Sequence, residues 1–397
     1  MQKNIVLCSD GTDNTFHEKT TNVSRMVYYL DLSDHQRQMV VYDNGVGTST
    51  KRISKADLNR SVGAEDPHAF QYIEANSSLS SGLPARLRGL AFGYGLKENV
   101  KELYLELCNR YRPGDRVFLF GFSRGAFTVR ALAGLLYRCQ LPVAEPETFD
   151  ARFSEAWKLF SLKNEDKAAT AKFRDTQRPC PIHFLGLWDT VKSYGGIRPI
   201  ALPHLRHNPI VLHVRHAVAL DEERPWFKPT TWGRLDMDQR GAMTKLSQQD
   251  RKLVDAQDIK EVWFAGCHSD VGGDAADNPS ARIALRWMLG EAAQIDNGVL
   301  LNPAGIKLLG EQDPAPLIHQ SHSLAWRIVE QIPRLEIDNS GVYPRKKMAW
   351  GSSGKRNPCD VQRNQKVYLH PTAAEYSQAI PCAKLLIPGM SPVDESG

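Results

Sequence analysis

The stretch RVFLFGFSRGAFTVRALAGLL, residues 116–136, most narrows what this chain can fold into. It joins a short apolar run to an amphipathic one through Gly121-Phe122-Ser123-Arg124-Gly125. An apolar run bounded by a turn signal reads as a buried strand, and the periodic segment after it as a helix over about 124–138. A serine at such a joint needs small residues two positions to either side, because strand and helix backbones must approach closely there.

The same alternation recurs along the chain. NIVLCS (4–9), QMVVYD (38–43), IHFLGLWD (182–189) and IKEVWFAG (259–266) read as buried strands. NVSRMVYYLDL has apolar residues at helical spacing, and Val100, Leu103, Leu107 and Tyr111 share one face of a helix over 96–111. SARIALRWMLGEAAQI (280–295) is a further amphipathic helix, and QKVYLH (365–370) is a candidate late strand. The segment holding His204, His207, His213 and His216 reads as the approach to a helix, where packing or surface roles are expected. The rhythm predicts an α/β, α/β-hydrolase-like fold: a mostly parallel central sheet with helices on both faces. Residues 1–300 form the expected catalytic domain, and 301–397 a C-terminal extension packing on the core. Segments 140–180 and 222–258 interrupt the alternation and read as insertions over the active-site edge. In the first, Phe149, Phe153, Trp157 and Phe160 make one helical stripe, suited to a lid or to plain packing.

Bulk properties exclude some classes. A net charge of +5, spread without a basic tract, gives no footprint for nucleic acid. The seven cysteines are scattered without a CxxC pair, which predicts buried free thiols rather than a disulfide framework or zinc site. The start shows no secretory signal and no apolar run approaches the ~18 residues of a membrane span, so a cytoplasmic location is expected, compatible with signal-independent export.

The chemistry follows from order along the chain. GxSxG between a strand and a helix is the nucleophile-elbow pattern, whose partners follow as an acid and then a histidine at strand ends. A serine hydroxyl is a weak nucleophile until a base takes its proton and an anion orients that base. Asp189 ends FLGLWD and His268 follows EVWFAGC, so Ser123, Asp189 and His268 are the expected catalytic residues. His370, which also ends an apolar run, is the main rival base, and Asp221 and Asp270 are the alternative acids. The oxyanion donors are expected at the Arg124 N–H and at Gly11 or Thr12, in the glycine loop closing the first strand. Asp10, Gly121, Gly125 and Asp270 are the residues expected to shape the site. Asp10 has a second reading, as a metal ligand with His268 and Asp270 in a phosphoesterase. The serine scheme itself needs no cofactor and no metal.

Several motifs occur together and in order: SDGTDNT, VYDNGVGT (41–48), the segment 93–136, GLWDTV (186–191), HAVALDEERPWFKP (216–229), VWFAGCHSDVGGD (262–274) and ARIALRWML. Over residues 3–295 they resemble the α/β-hydrolase family DUF2235, which includes the catalytic domain of Tle1-type type VI secretion phospholipase effectors. The resemblance implies the same three residues, Ser123, Asp189 and His268, and an ester hydrolase of phospholipase A type. It implies a lipid or other ester substrate, transient membrane-surface contact, and, for an effector, a secretion or immunity partner. A soluble esterase or thioesterase, or a catalytically silent binding protein on this fold, is the alternative.

Overall fold

The structure is a computed structural model that describes residues 2–11, 20–44, 61–66, 68–73, 95–143, 146–162, 166–191, 194–195, 198–199, 205, 208–232, 247–273, 278–321, 333–338, 345–349, 354–361, 367–376, 380 and 383–385. Nine strands make one sheet: β1 Asn4–Ser9, β2 Gln38–Asp43, β3 Phe70–Ile73, β4 Arg116–Phe122, β5 Ile182–Trp188, β6 Val211–Ala219, β7 Asp258–Phe264, β8 Val367–Leu369 and β9 Ala383–Leu385. Their spatial order is β9-β8-β7-β6-β5-β4-β1-β2-β3, and every pairing is parallel. This is the parallel sheet that the alternation predicts. The order reverses between β1 and β4, and in open parallel sheets the crevice beyond such a reversal is where ligands bind.

Alternation within each strand divides the core into two layers. Ile5, Leu7, Val117 and Leu119 face one side, which is covered by helices α2 (Leu96–Arg110), α3 (Arg124–Cys139) and α4 (Phe149–Ser161). Val6, Cys8, Phe118 and Phe120 face the other, under α1 (Asn22–Val27) and α6 (Pro279–Gln294). Both faces of β1 and β4 are therefore apolar, as strands buried on two sides must be. In α4 the side chains of Phe149, Phe153 and Phe160 are buried, and Tyr104 of α2 packs on the first two.

Two expectations are corrected. Residues 211–219 are not the approach to a helix but β6, a central strand between β5 and β7. Its polar letters hid it: Arg215 is buried and ion-paired to Glu291 and Asp258, and His216 to Glu261 at 2.8 Å. The buried Arg215 charge meets two carboxylates and the His216 ring is hydrogen-bonded, which is how a strand can carry Arg and His through a core. The second correction concerns cysteine. Cys8, Cys108, Cys139, Cys180 and Cys267 are free thiols, but Cys359 is disulfide-bonded.

The C-terminal residues add to the same sheet. Val367, Leu369, Ala373 and Ile380 are buried with Val218 of β6 and Trp263 of β7. Among the described residues no helix is long and apolar enough to cross a membrane.

Candidate active site

Ser123 lies between β4 and α3 with φ 56° and ψ −112°, a left-handed backbone that L residues avoid. Holding a non-glycine residue in such a region costs about 1–3 kcal/mol, so the surroundings must impose it. They do so through close approach. A Cβ on Gly121 would stand 2.6 Å from the Ala126 nitrogen, and one on Gly125 would intrude on the Ser9 carbonyl and lie 2.7 Å from the Asp10 oxygen. The two glycines let the first turn of α3 sit on the ends of β1 and β4, leaving Ser123 at the apex. The Ser123 N–H donates to the Trp188 carbonyl at 3.0 Å, tying the apex to the end of β5.

Asp189 follows β5 directly and also has positive φ, 39°. Its N–H donates to the Ala217 carbonyl at 2.8 Å. His268 opens the short helix α5 (His268–Gly272) beyond β7. The elbow after β4 and the ends of β5 and β7, which flank β6, thus bring the three residues together. The His268 Nε2 is 2.8 Å from Ser123 Oγ, and its Nδ1 is 2.5 Å from Asp189 Oδ2. All three are buried, Asp189 completely. The imidazole lies between two rings, Phe122 at 4.6 Å and Phe227 edge-on at 4.9 Å, so its plane is fixed by packing as well as by hydrogen bonds.

The electrostatics keep the pair asymmetric. Burial pushes the Asp189 carboxyl up, but the adjoining Arg356 guanidinium and His268 hold it well below the ordinary carboxylate range. Burial lowers His268 below the ordinary histidine value, with Asp189 acting the other way. At neutral pH this leaves an aspartate anion beside a neutral imidazole, the protonation state a general base requires.

The remaining candidates fall into place around this centre. The Asp10 carboxylate accepts hydrogen bonds from Gly11 N–H, Thr21 Oγ1 and Tyr42 OH, each at 2.6 Å. Gly11 or Thr12 was expected as the second oxyanion donor; the Gly11 N–H donates to the preceding Asp10 carboxylate, which competes for it locally. Thr12 lies outside the described residues. Arg124 is the first residue of α3, at the positive end of a 16-residue helix. Asp270 receives the Cys267 N–H and the His319 N–H, both at 2.9 Å, and holds the turn that presents His268. Asp221 receives the Gly266 N–H at 2.7 Å on the same turn. His370 stacks on Phe264 at 4.6 Å and bonds Thr372, taking no part at Ser123. Among the described residues, Asp10, His268 and Asp270 do not converge as a metal-ligand set.

The family described as T6SS, phospholipase effector Tle1-like, catalytic domain matches residues 3–291, more than half of the chain. The chain belongs to this family. A curated relative of the Tle1-like chain, uncharacterized protein YEL023C of Saccharomyces cerevisiae, is 33% identical over 236 residues, which are 57% of this chain and 32% of the yeast protein. A solved structure of an uncharacterized protein from Pseudomonas aeruginosa is 20% identical, covering 76% of this chain and 46% of that one, with TM-score 0.38. A structure of the Tle1 effector bound to the VgrG spike is 16% identical, covering 69% of this chain and 51% of that one, with TM-score 0.32. The Tle1-like chain therefore spans about a third of the curated relative and about half of each solved chain.

Sequence reasoning missed the groups behind these three convergent residues. Glu222 accepts the His268 N–H at 3.2 Å and pairs with Arg224 at 2.8 Å; burial raises its carboxyl, but Arg224 brings it down to about 2. Glu222 and Arg224 sit in LDEERPWF, so a reading of that motif for charge could have found them. His216 Nε2 accepts the Thr190 N–H at 3.1 Å, anchoring the residue after Asp189. No sequence signal marks Arg356.

Proposed function

We propose that this chain is a serine-dependent carboxylic ester hydrolase of lipase or phospholipase A type. The observation that carries the proposal is one imidazole hydrogen-bonded to Ser123 Oγ through Nε2 and to Asp189 through Nδ1. In that tautomer Nδ1–H donates to the carboxylate, and Nε2 accepts the serine proton as Oγ attacks the ester carbonyl. The tetrahedral oxyanion is held by the Arg124 N–H. The 10–12 loop is assigned the second donor, with Thr12 N–H the sequence choice once Gly11 N–H is held by Asp10. His268 returns the proton to the leaving alcohol, and water then hydrolyses the acyl-enzyme by the same path in reverse. Family membership supports the phospholipid as the substrate class, and a long acyl chain as the group left on Ser123.

A fluorophosphonate probe is expected to label Ser123 in the wild type and to label it poorly in His268→Ala. Wild-type labelling surviving unchanged in His268→Ala would sink the scheme. Hydrolysis of sn-1- and sn-2-labelled phospholipids, compared with p-nitrophenyl esters of rising chain length, separates a phospholipase from a soluble esterase.

The pH profile carries a sign. The base works only when neutral, and burial lowers the His268 pKa, so the neutral form persists below the ordinary value of 6.5. The acid limb of kcat/KM on a soluble ester is expected to have its midpoint below pH 6.5, and a midpoint above 7 contradicts the assignment.

A further inference from the structure

The segment after the family-matched region returns to the triad. Arg356 is buried, at 6% exposure, and its Nη1 and Nη2 donate to Asp189 Oδ1 and Oδ2 at 2.6 and 3.0 Å. Nη1 also donates to the Ala219 carbonyl at 2.7 Å, and Nη2 to the Phe227 carbonyl. The Ala219 N–H donates to Asp189 Oδ1 at 3.0 Å. The carboxylate is thus filled on both oxygens: Arg356 and Ala219 on Oδ1, Arg356 and His268 on Oδ2. Three residues further on, Cys359 is disulfide-bonded.

We propose that Arg356 is a positioning residue of the reaction, which fixes the Asp189 carboxylate plane and offsets its charge so that His268 stays neutral. The proposal rests on the serine-hydrolase reading above. A guanidinium matches a carboxylate as two parallel N–H donors, which fixes orientation as well as charge. Without that fork, Asp189 would keep one backbone donor and the imidazole, and its plane could turn away from Nδ1.

The balance of charge has a direct effect on the base. The charged groups acting on His268 are Asp189 after β5 and Glu222 and Arg224 after β6, with Arg356 bound to Asp189; Asp221 bonds the preceding turn, and Asp270 of the same helix pairs with His319. Next to the imidazole, two carboxylates, Asp189 and Glu222, face two guanidiniums, Arg356 and Arg224. Removing the Arg356 charge leaves the anions in excess. An excess of nearby negative charge favours the protonated form, so the Asp189–His268 pair would take up its proton at higher pH.

The test compares full-length Arg356→Gln and Arg356→Lys on a soluble p-nitrophenyl ester across pH, with thermal melts reporting the folded fraction. In Arg356→Gln, kcat is expected to fall about 10- to 100-fold with KM within about twofold, since a misaligned catalytic group costs on that order. Its acid limb is expected to move up by about 1 pH unit, while Arg356→Lys, which keeps the charge but loses the fork, leaves the limb in place with kcat partly restored. A folded Arg356→Gln with unchanged kcat and limb overturns the proposal. So does a loss equal in both variants at every pH that vanishes on correction for the folded fraction, because Arg356 then only fastens the segment. Should Arg356→Gln fail to fold, Arg356→Lys decides alone: wild-type kcat in it overturns the orienting role. Probe labelling of the wild type and His268→Ala keeps the two readings apart. An unlabelled wild type defeats the triad, whereas a labelled wild type with a labelled, pH-unshifted Arg356→Gln defeats only Arg356.

Discussion

Ser123→Ala is expected to lower ester turnover by about 10⁴-fold or more while the melting temperature stays close to wild type. The substitution removes one oxygen, bonded to His268 Nε2, and leaves the backbone N–H to Trp188 in place. Turnover within tenfold of wild type would show that another group attacks the ester. The thiols nearby offer no substitute: burial pushes Cys267 up to about 12 and Cys8 higher still, so neither is a thiolate at neutral pH. A companion variant separates chemistry from strain. Ser123 sits at φ 56° and ψ −112°, which glycine adopts freely and alanine does not. Ser123→Gly is therefore expected to be as inactive as Ser123→Ala yet more stable than it by about 1 kcal/mol. Equal melting temperatures would mean that the elbow stores no strain.

Gly125→Ala is expected to cost more than about 4 kcal/mol and to leave little folded protein. Its Cβ would meet the Ser9 carbonyl and, at 2.7 Å, the Asp10 oxygen, both of them backbone that cannot swing aside. Relief would require α3 to lift from β1, disturbing Ser123 at one end of the contact and the Asp10 loop at the other. Gly290→Ala is the control. It lies within α6, and its Cβ would touch only Leu309 at 3.7 Å, an ordinary contact. There the loss of unfolded-chain entropy is expected to stabilise by about 0.5–1 kcal/mol. Thermal melts of the two variants settle the matter, and comparable stability would refute the close-approach account.

The sheet and the three convergent residues were legible because they rest on local signals. Ser123, Asp189 and His268 each end or follow an apolar run, and a parallel sheet places such ends on one edge whatever the connections do. β6 was not legible, since Arg215 and His216 look solvent-facing until Glu291, Asp258 and Glu261 arrive from elsewhere in the chain. The engagement of the Gly11 N–H has a short-range cause, a carboxylate one residue away that accepts it. Arg356 was invisible for the opposite reason. Its partner stands 167 positions earlier, and nothing in GKRNP distinguishes a buried guanidinium from a surface one.

The return of Arg356 to Asp189 also sets an order in time. A ribosome adding ~5–20 residues per second needs roughly 3–13 s to pass from residue 291 to residue 356. For that interval the nascent chain already carries Ser123, Asp189 and His268, but Asp189 still lacks its countercharge. Under the proposed scheme, the Asp189–His268 pair reaches its full charge balance only after residue 356 has been added.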